Sequence, residues 1–152
     1  MHYYLFLSLL QQLPHAAAAG EAEPVALLSN IDNITRKIFG YMNWIYLTSE
    51  VQLQEIKDKS KENLQVIFKH STRCGVSSMA KNRLDKGSEP EGMDFYFLDL
   101  IKYRNISNKI SQDFKVYHES PQILIIKDGK SVYDESHSGI DLEEITSYVQ
   151  TA

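Results

Sequence analysis

Cys74 is the single cysteine in this chain of 152 residues, and it stands in Phe68-Lys69-His70-Ser71-Thr72-Arg73-Cys74-Gly75-Val76-Ser77, directly after an apolar run and directly before a helical pattern. A cysteine at a helix start meets the positive end of the macrodipole and the unpaired amides of the first turn, and both favour thiolate over thiol. Arg73, Lys69 and His70 add positive charge nearby. The placement therefore predicts a reactive thiol rather than a small buried apolar residue. One cysteine cannot close an internal disulfide, so any disulfide of Cys74 joins it to a second molecule. Ser77 follows one helical turn later, where a dithiol enzyme would carry its resolving cysteine. A hydroxyl there can donate a hydrogen bond to a thiolate but cannot resolve a disulfide.

The elements that must position this thiol can be followed along the chain. Trp44 to Leu47 reads as a short strand, and Ser49-Glu50-Val51-Gln52 has capping-box spacing for a helix carrying Val51, Leu53 and Ile56. Leu64 to Phe68 is nearly all apolar, as a central parallel strand covered on both faces requires. After the Cys74 loop, Val76, Met79, Ala80 and Leu84 fall at helical spacing, and Asp85 to Gly92 reads as a loop. Met93 to Leu100 is a second buried-type strand, and Tyr103, Ile106, Ile110 and Phe114 mark a third amphipathic helix. Pro121 forbids its continuation. Gln122 to Lys127 is a strand, Asp128-Gly129 signals a tight hairpin into Ser131 to Glu135, and Asp141 starts a helix striped by Leu142, Ile145 and Val149.

The order β-α-β-α-β-α-β-β-α combines crossover helices, which force parallel pairing, with a terminal hairpin, which forces antiparallel pairing. The sheet must be mixed, and a thioredoxin-like α/β fold has this order. Sites in open α/β sheets lie at the carboxyl ends of strands, and Cys74 follows the strand read as central.

Composition narrows the function classes. The chain has 16 Lys and Arg against 20 Asp and Glu, a net charge of −4, and its cations are scattered, which argues against nucleic acid as a partner. Tyr3 to Leu10 is an apolar run of signal-peptide length, with Ala16 to Ala19 able to supply small residues for cleavage, so a weak signal-like segment stays open, but the run lacks a basic leader and is too short to span a membrane. Residues 1–41 read as an N-terminal extension and 42–152 as the folded domain, with Met42 a candidate true start. His70, His118 and His137 fall near strand ends, but their wide spacings do not fit the close ligand pairs of a tetrahedral metal site. They read as surface or hydrogen-bonding histidines, and no metal site is expected.

From Met42 to Gln150 the chain resembles the monothiol bacilliredoxins, thioredoxin-like proteins of the bacillithiol redox system. The resemblance rests on His70-Ser71-Thr72-Arg73-Cys74, His118-Glu119-Ser120-Pro121-Gln122, Lys127-Asp128-Gly129 and Ser136-His137-Ser138-Gly139-Ile140. It implies a cytoplasmic oxidoreductase that removes bacillithiol, a low-molecular-weight thiol, from mixed disulfides on client proteins. No cofactor would be bound; bacillithiol would be the co-substrate. Cys74 would be the nucleophile and Pro121 a cis-proline facing it, with Ser120 offering its backbone to substrate. His70, Thr72, Arg73, Gly75 and Ser77 would complete the substrate-binding loop. The family often has proline after the cysteine, where this chain has Gly75. Cys-Gly-Val-Ser is also similar to the Cys-Gly-Phe-Ser loop of monothiol glutaredoxins, which keeps an iron–sulfur cluster carrier open as an alternative, beside a thioredoxin-fold adaptor whose cysteine is incidental.

Overall fold

The computed structural model describes residues 42–150; the expected extension, residues 1–41, lies outside them. The described chain forms β1 (Trp44–Tyr46), α1 (Val51–Lys59), β2 (Leu64–His70), α2 (Gly75–Asp85), β3 (Met93–Asp99), α3 (Arg104–Phe114), β4 (Gln122–Lys127), β5 (Lys130–Ser136), a 3-10 turn (His137–Gly139) and α4 (Leu142–Gln150). The five strands lie in the order β1-β3-β2-β4-β5. β1 and β2 both run parallel to β3, whereas β2–β4 and β4–β5 are antiparallel. This is the mixed sheet that the crossover and hairpin signals require.

β2 occupies the middle of the sheet, and all seven of its residues are buried. Its alternation divides the core in two. Val66 and Phe68 face Ala80 and Leu84 of α2 and Ile145 of α4, while Ile67 faces Leu53 and Ile56 of α1 and Ile106, Ile110 and Phe114 of α3. Each such side chain removed from water contributes about 1.5–3 kcal/mol before the entropy of ordering is counted. The hairpin turn has Asp128 at φ 51° and Gly129 at φ 72°, the paired left-handed conformations of a type I′ turn. At α4, Asp141 Oδ1 accepts from the amides of Glu143 (2.8 Å) and Glu144 (3.1 Å), so the expected cap is present.

Three expectations need correcting. Val51 is 69% exposed rather than packed, although the expected capping-box contact is present, with Gln52 Oε1 accepting from the amides of Ser49 (3.0 Å) and Thr48 (2.8 Å). On α2, Val76 (47% exposed) and Met79 (63%) face outward, and the buried face is Ser77, Ala80 and Leu84. The two sets share the same helical spacing, and the polar Ser77 conceals which of them packs inward. The first strand ends at Tyr46 rather than Leu47.

Candidate active site

β2 delivers the chain to the site. His70 ends the strand, its carbonyl accepting from the Leu100 amide at 3.0 Å. A tight turn follows, closed by the Cys74 amide donating to the Ser71 carbonyl at 3.2 Å. Cys74 is then the N-cap of α2: its backbone is extended (φ −116°, ψ 120°) while its carbonyl already accepts from the Ser78 amide at 3.0 Å. The half-buried thiol thus sits at the amino end of an 11-residue helix with no acidic residue in its first turn. Its side chain makes no cap hydrogen bond. Thr72, Arg73 and Gly75 are exposed around it. A Cβ added at Gly75 would meet nothing within 4 Å, so open space lies beside the thiol at the first helical position.

Ser77 and His70 are joined by a hydrogen bond beneath the cysteine loop. The Ser77 hydroxyl is fully buried, accepts from the Ser71 amide at 2.9 Å and shares a 2.7 Å hydrogen bond with His70 Nδ1. It splints the cysteine loop to the end of β2. His70 packs its ring on Phe97 (5.3 Å) and Phe68 (5.9 Å). Burial, and then the charge of Lys81, holds its pKa below the ordinary histidine value. His70 is therefore neutral near pH 7 and adds no positive charge beside Cys74.

Lys69 adds none at the thiol either, because strand alternation turns it to the α3 side of the sheet. It is fully buried. Its Nζ donates to Gln122 Oε1 at 2.6 Å and lies 3.0 Å from His118 Nδ1; burial, and then the Arg104 charge, pulls its pKa from 10.5 to about 8. Gln122 in turn accepts from the Glu119 amide (3.3 Å) and donates to the Tyr117 carbonyl (2.9 Å). The Lys69–Gln122 pair therefore braces residues 117–121 from beneath. The Ser120–Pro121 bond in that loop is cis. The β2–β4 register pairs Lys69 with Gln122, which sets Pro121 level with His70 and brings Ser120 up to the start of the cysteine loop. Pro121 is buried, with its carbonyl accepting from the His137 amide at 3.0 Å, and Ser120 Oγ is buried without a hydrogen-bond partner.

The structure thus gathers Cys74, His70, Ser77 and the Ser120–Pro121 loop at one end of the sheet. The three histidines take separate partners: His70 bonds Ser77, His118 lies between Lys69 and Arg104, and His137 sits 3.9 Å from Glu119. Sequence reasoning named Lys69 only as a charge near the thiol and Gln122 only within a motif, and it missed Arg104 altogether. One signal was present for Lys69: it continues a run that is apolar on both faces, so it had to be buried and partnered. No helix among the described residues is long and apolar enough to cross a membrane.

Comparison with known proteins agrees with this architecture. One solved structure, classed as an oxidoreductase with a thioredoxin fold, is 28% identical, covers 68% of this chain and 91% of its own, and has a TM-score of 0.61. Thioredoxin from Nicotiana alata (21% identity, 73% of this chain and 93% of that one, TM-score 0.56) and thioredoxin from Schistosoma mansoni (19%, 72% and 94%, TM-score 0.55) share the fold. The family model described as monothiol bacilliredoxin BrxC matches residues 45–145. That span runs from β1 through the cysteine loop and Pro121 to α4, and the chain belongs to the monothiol bacilliredoxin family.

Proposed function

We propose that this protein is a monothiol oxidoreductase that removes bacillithiol from protein mixed disulfides, working in the cytoplasm with Cys74 as its nucleophile. The observation that carries the reading is a lone, half-buried thiol placed as the N-cap of α2, at the end of the sheet where the β2–β4 register also brings the cis Ser120–Pro121 bond. A helix amino end favours the thiolate, which is the attacking species in exchange. The Cys74 thiolate attacks the bacillithiol sulfur of the mixed disulfide. A new sulfur–sulfur bond forms, the old one breaks, and the client cysteine leaves as a thiolate. A second bacillithiol thiolate then attacks the adduct on Cys74 and departs as the symmetric disulfide, restoring the Cys74 thiolate. Val76 and Met79, exposed on the first turns of α2, give a client protein apolar contact close to the reacting sulfur. Arg73 and Thr72 flank the same sulfur from the loop, and the Ser120 backbone offers pairing to the substrate.

Intact-mass spectrometry tests this directly. After incubation with a bacillithiolated client, Cys74 should gain one bacillithiol as the client loses one, and free bacillithiol should reverse the change. Cys74→Ser should abolish transfer. Transfer surviving in Cys74→Ser, or a folded wild-type protein that never acquires the adduct, would falsify the proposal.

A further inference from the structure

Lys69 is a cation where the fold would accept an apolar side chain. It lies on the middle strand of the sheet and is fully buried. Burial, then the Arg104 charge, lowers its pKa to about 8, with Glu119 and Asp134 offsetting part of the shift. Replacing such a buried charge by an apolar side chain of similar volume is often neutral or stabilising. Stability alone therefore gives no reason for a lysine here, and its role follows from where its donors point.

Those donors meet the loop that carries the cis Ser120–Pro121 bond. Nζ donates to Gln122 Oε1 at 2.6 Å and lies 3.0 Å from His118 Nδ1. Backbone bonds fix the loop at its two ends, where the Val116 amide donates to the Ser111 carbonyl at 3.2 Å and the His137 amide to the Pro121 carbonyl at 3.0 Å. Between them Gln122 grips the chain on both sides of His118: its Oε1 accepts from the Glu119 amide (3.3 Å) and its Nε2 donates to the Tyr117 carbonyl (2.9 Å). Both bonds require one orientation of the side-chain amide. A flipped amide would set its NH2 group against the ammonium, donor against donor, and would break both bonds to the loop. Lys69 thus decides which way Gln122 faces. The β2–β4 register pairs Lys69 with Gln122, so residues 120 and 121 run alongside His70 and Ser71, and the Ser71 carbonyl accepts from the Cys74 amide at 3.2 Å.

We propose that Lys69 is a positioning residue for thiol transfer: by orienting the Gln122 side-chain amide it sets the place of residues 117–121, and with it how tightly a client mixed disulfide docks. This rests on the bacilliredoxin reading and deepens it, giving the α3 side of the sheet a part in substrate affinity without any contact with substrate.

Lys69→Met keeps the bulk of the side chain and removes the donors. With a bacillithiolated client its KM should rise about tenfold at pH 7 with kcat in place, while iodoacetamide, too small to dock on the loop, should alkylate Cys74 at the wild-type rate. An unchanged KM, or alkylation that slows as much as kcat/KM falls, overturns the proposal. Gln122→Leu should raise KM to a similar extent, and the double variant no further than either alone, because the two residues act in series. Additive losses would mean that Lys69 does not act through Gln122. A transfer-independent arm follows the Glu119 amide by hydrogen exchange in the full-length protein. Its exchange should quicken about tenfold in Lys69→Met while the amides of β2 keep their wild-type rates, a pattern that general destabilisation does not produce. Unchanged Glu119 exchange refutes the positioning role even where transfer proceeds. Faster exchange confined to the loop supports it even where the wild type transfers nothing, and in that case the bacilliredoxin reading alone falls.

Discussion

Replacing Lys69 with methionine separates the cost of burying a charge from the benefit of the hydrogen bonds it makes. Folding takes the lysine pKa from 10.5 to about 8, and at about 1.4 kcal/mol per pH unit the buried ammonium costs about 3 kcal/mol at neutral pH. Against this, Nζ supplies the 2.6 Å bond to Gln122, a charged interaction of about 1.5–3 kcal/mol. The two nearly cancel, so Lys69→Met should change stability little at pH 7. Dependence on pH is the discriminating observable. Between about 8 and 10.5 the unfolded chain holds the lysine proton that the folded chain has released, so the unfolded state binds more protons and stability rises with pH. The stabilisation is complete above the unfolded value and lost as pH falls through about 8. From pH 7 to pH 9.5 the wild type should gain about 2 kcal/mol relative to Lys69→Met. Urea unfolding followed by fluorescence of Trp44, the chain's single tryptophan, packed 5.6 Å from Phe68, reads both proteins at both pH values. Identical pH profiles would refute the reasoning and mean that Lys69 carries no buried-charge penalty.

Ser77→Ala leaves the Ser71 amide and His70 Nδ1 buried and unpaired; urea unfolding should show a loss of about 1–3 kcal/mol, and unchanged stability would mean that the loop is not splinted this way. Gly75→Pro should keep or raise stability by about 0.4–1 kcal/mol, since the first helical position needs no amide donor and the space beside it is open; calorimetry showing a drop would place the helix start elsewhere. Asp141→Ala removes the acceptor for two amides of α4 and should cost about 1 kcal/mol, visible as a lower urea midpoint at unchanged slope.

Much of this architecture was legible because its signals were local. The nearly all-apolar run of β2 required two covered faces, Asp128-Gly129 required a tight turn, and the polar loop before α2 singled out Cys74. What escaped depended on partners distant in sequence. Lys69 finds His118 and Gln122 across 49 and 53 residues, and no periodicity reports such a pairing. Arg104 at the start of α3 reads as an ordinary exposed cation until the fold sets it against His118. Ser77 lies one turn after the cysteine as expected, but its bond to His70 Nδ1 was not legible. Its burial depends on which of two equally spaced stripes of α2 faces the sheet, and packing rather than propensity decides that.

Lys69 and His70 are consecutive residues of one strand with side chains on opposite faces of the sheet. Through Ser77 the second secures the cysteine loop, and through Gln122 the first secures the Pro121 loop. Both walls of the site therefore hang from a single dipeptide, and fraying of the last residues of β2 would release them together. Local unfolding proceeds in such contiguous units, so the Leu100 amide, bonded to the His70 carbonyl, should exchange its hydrogen at the rate at which the whole site opens.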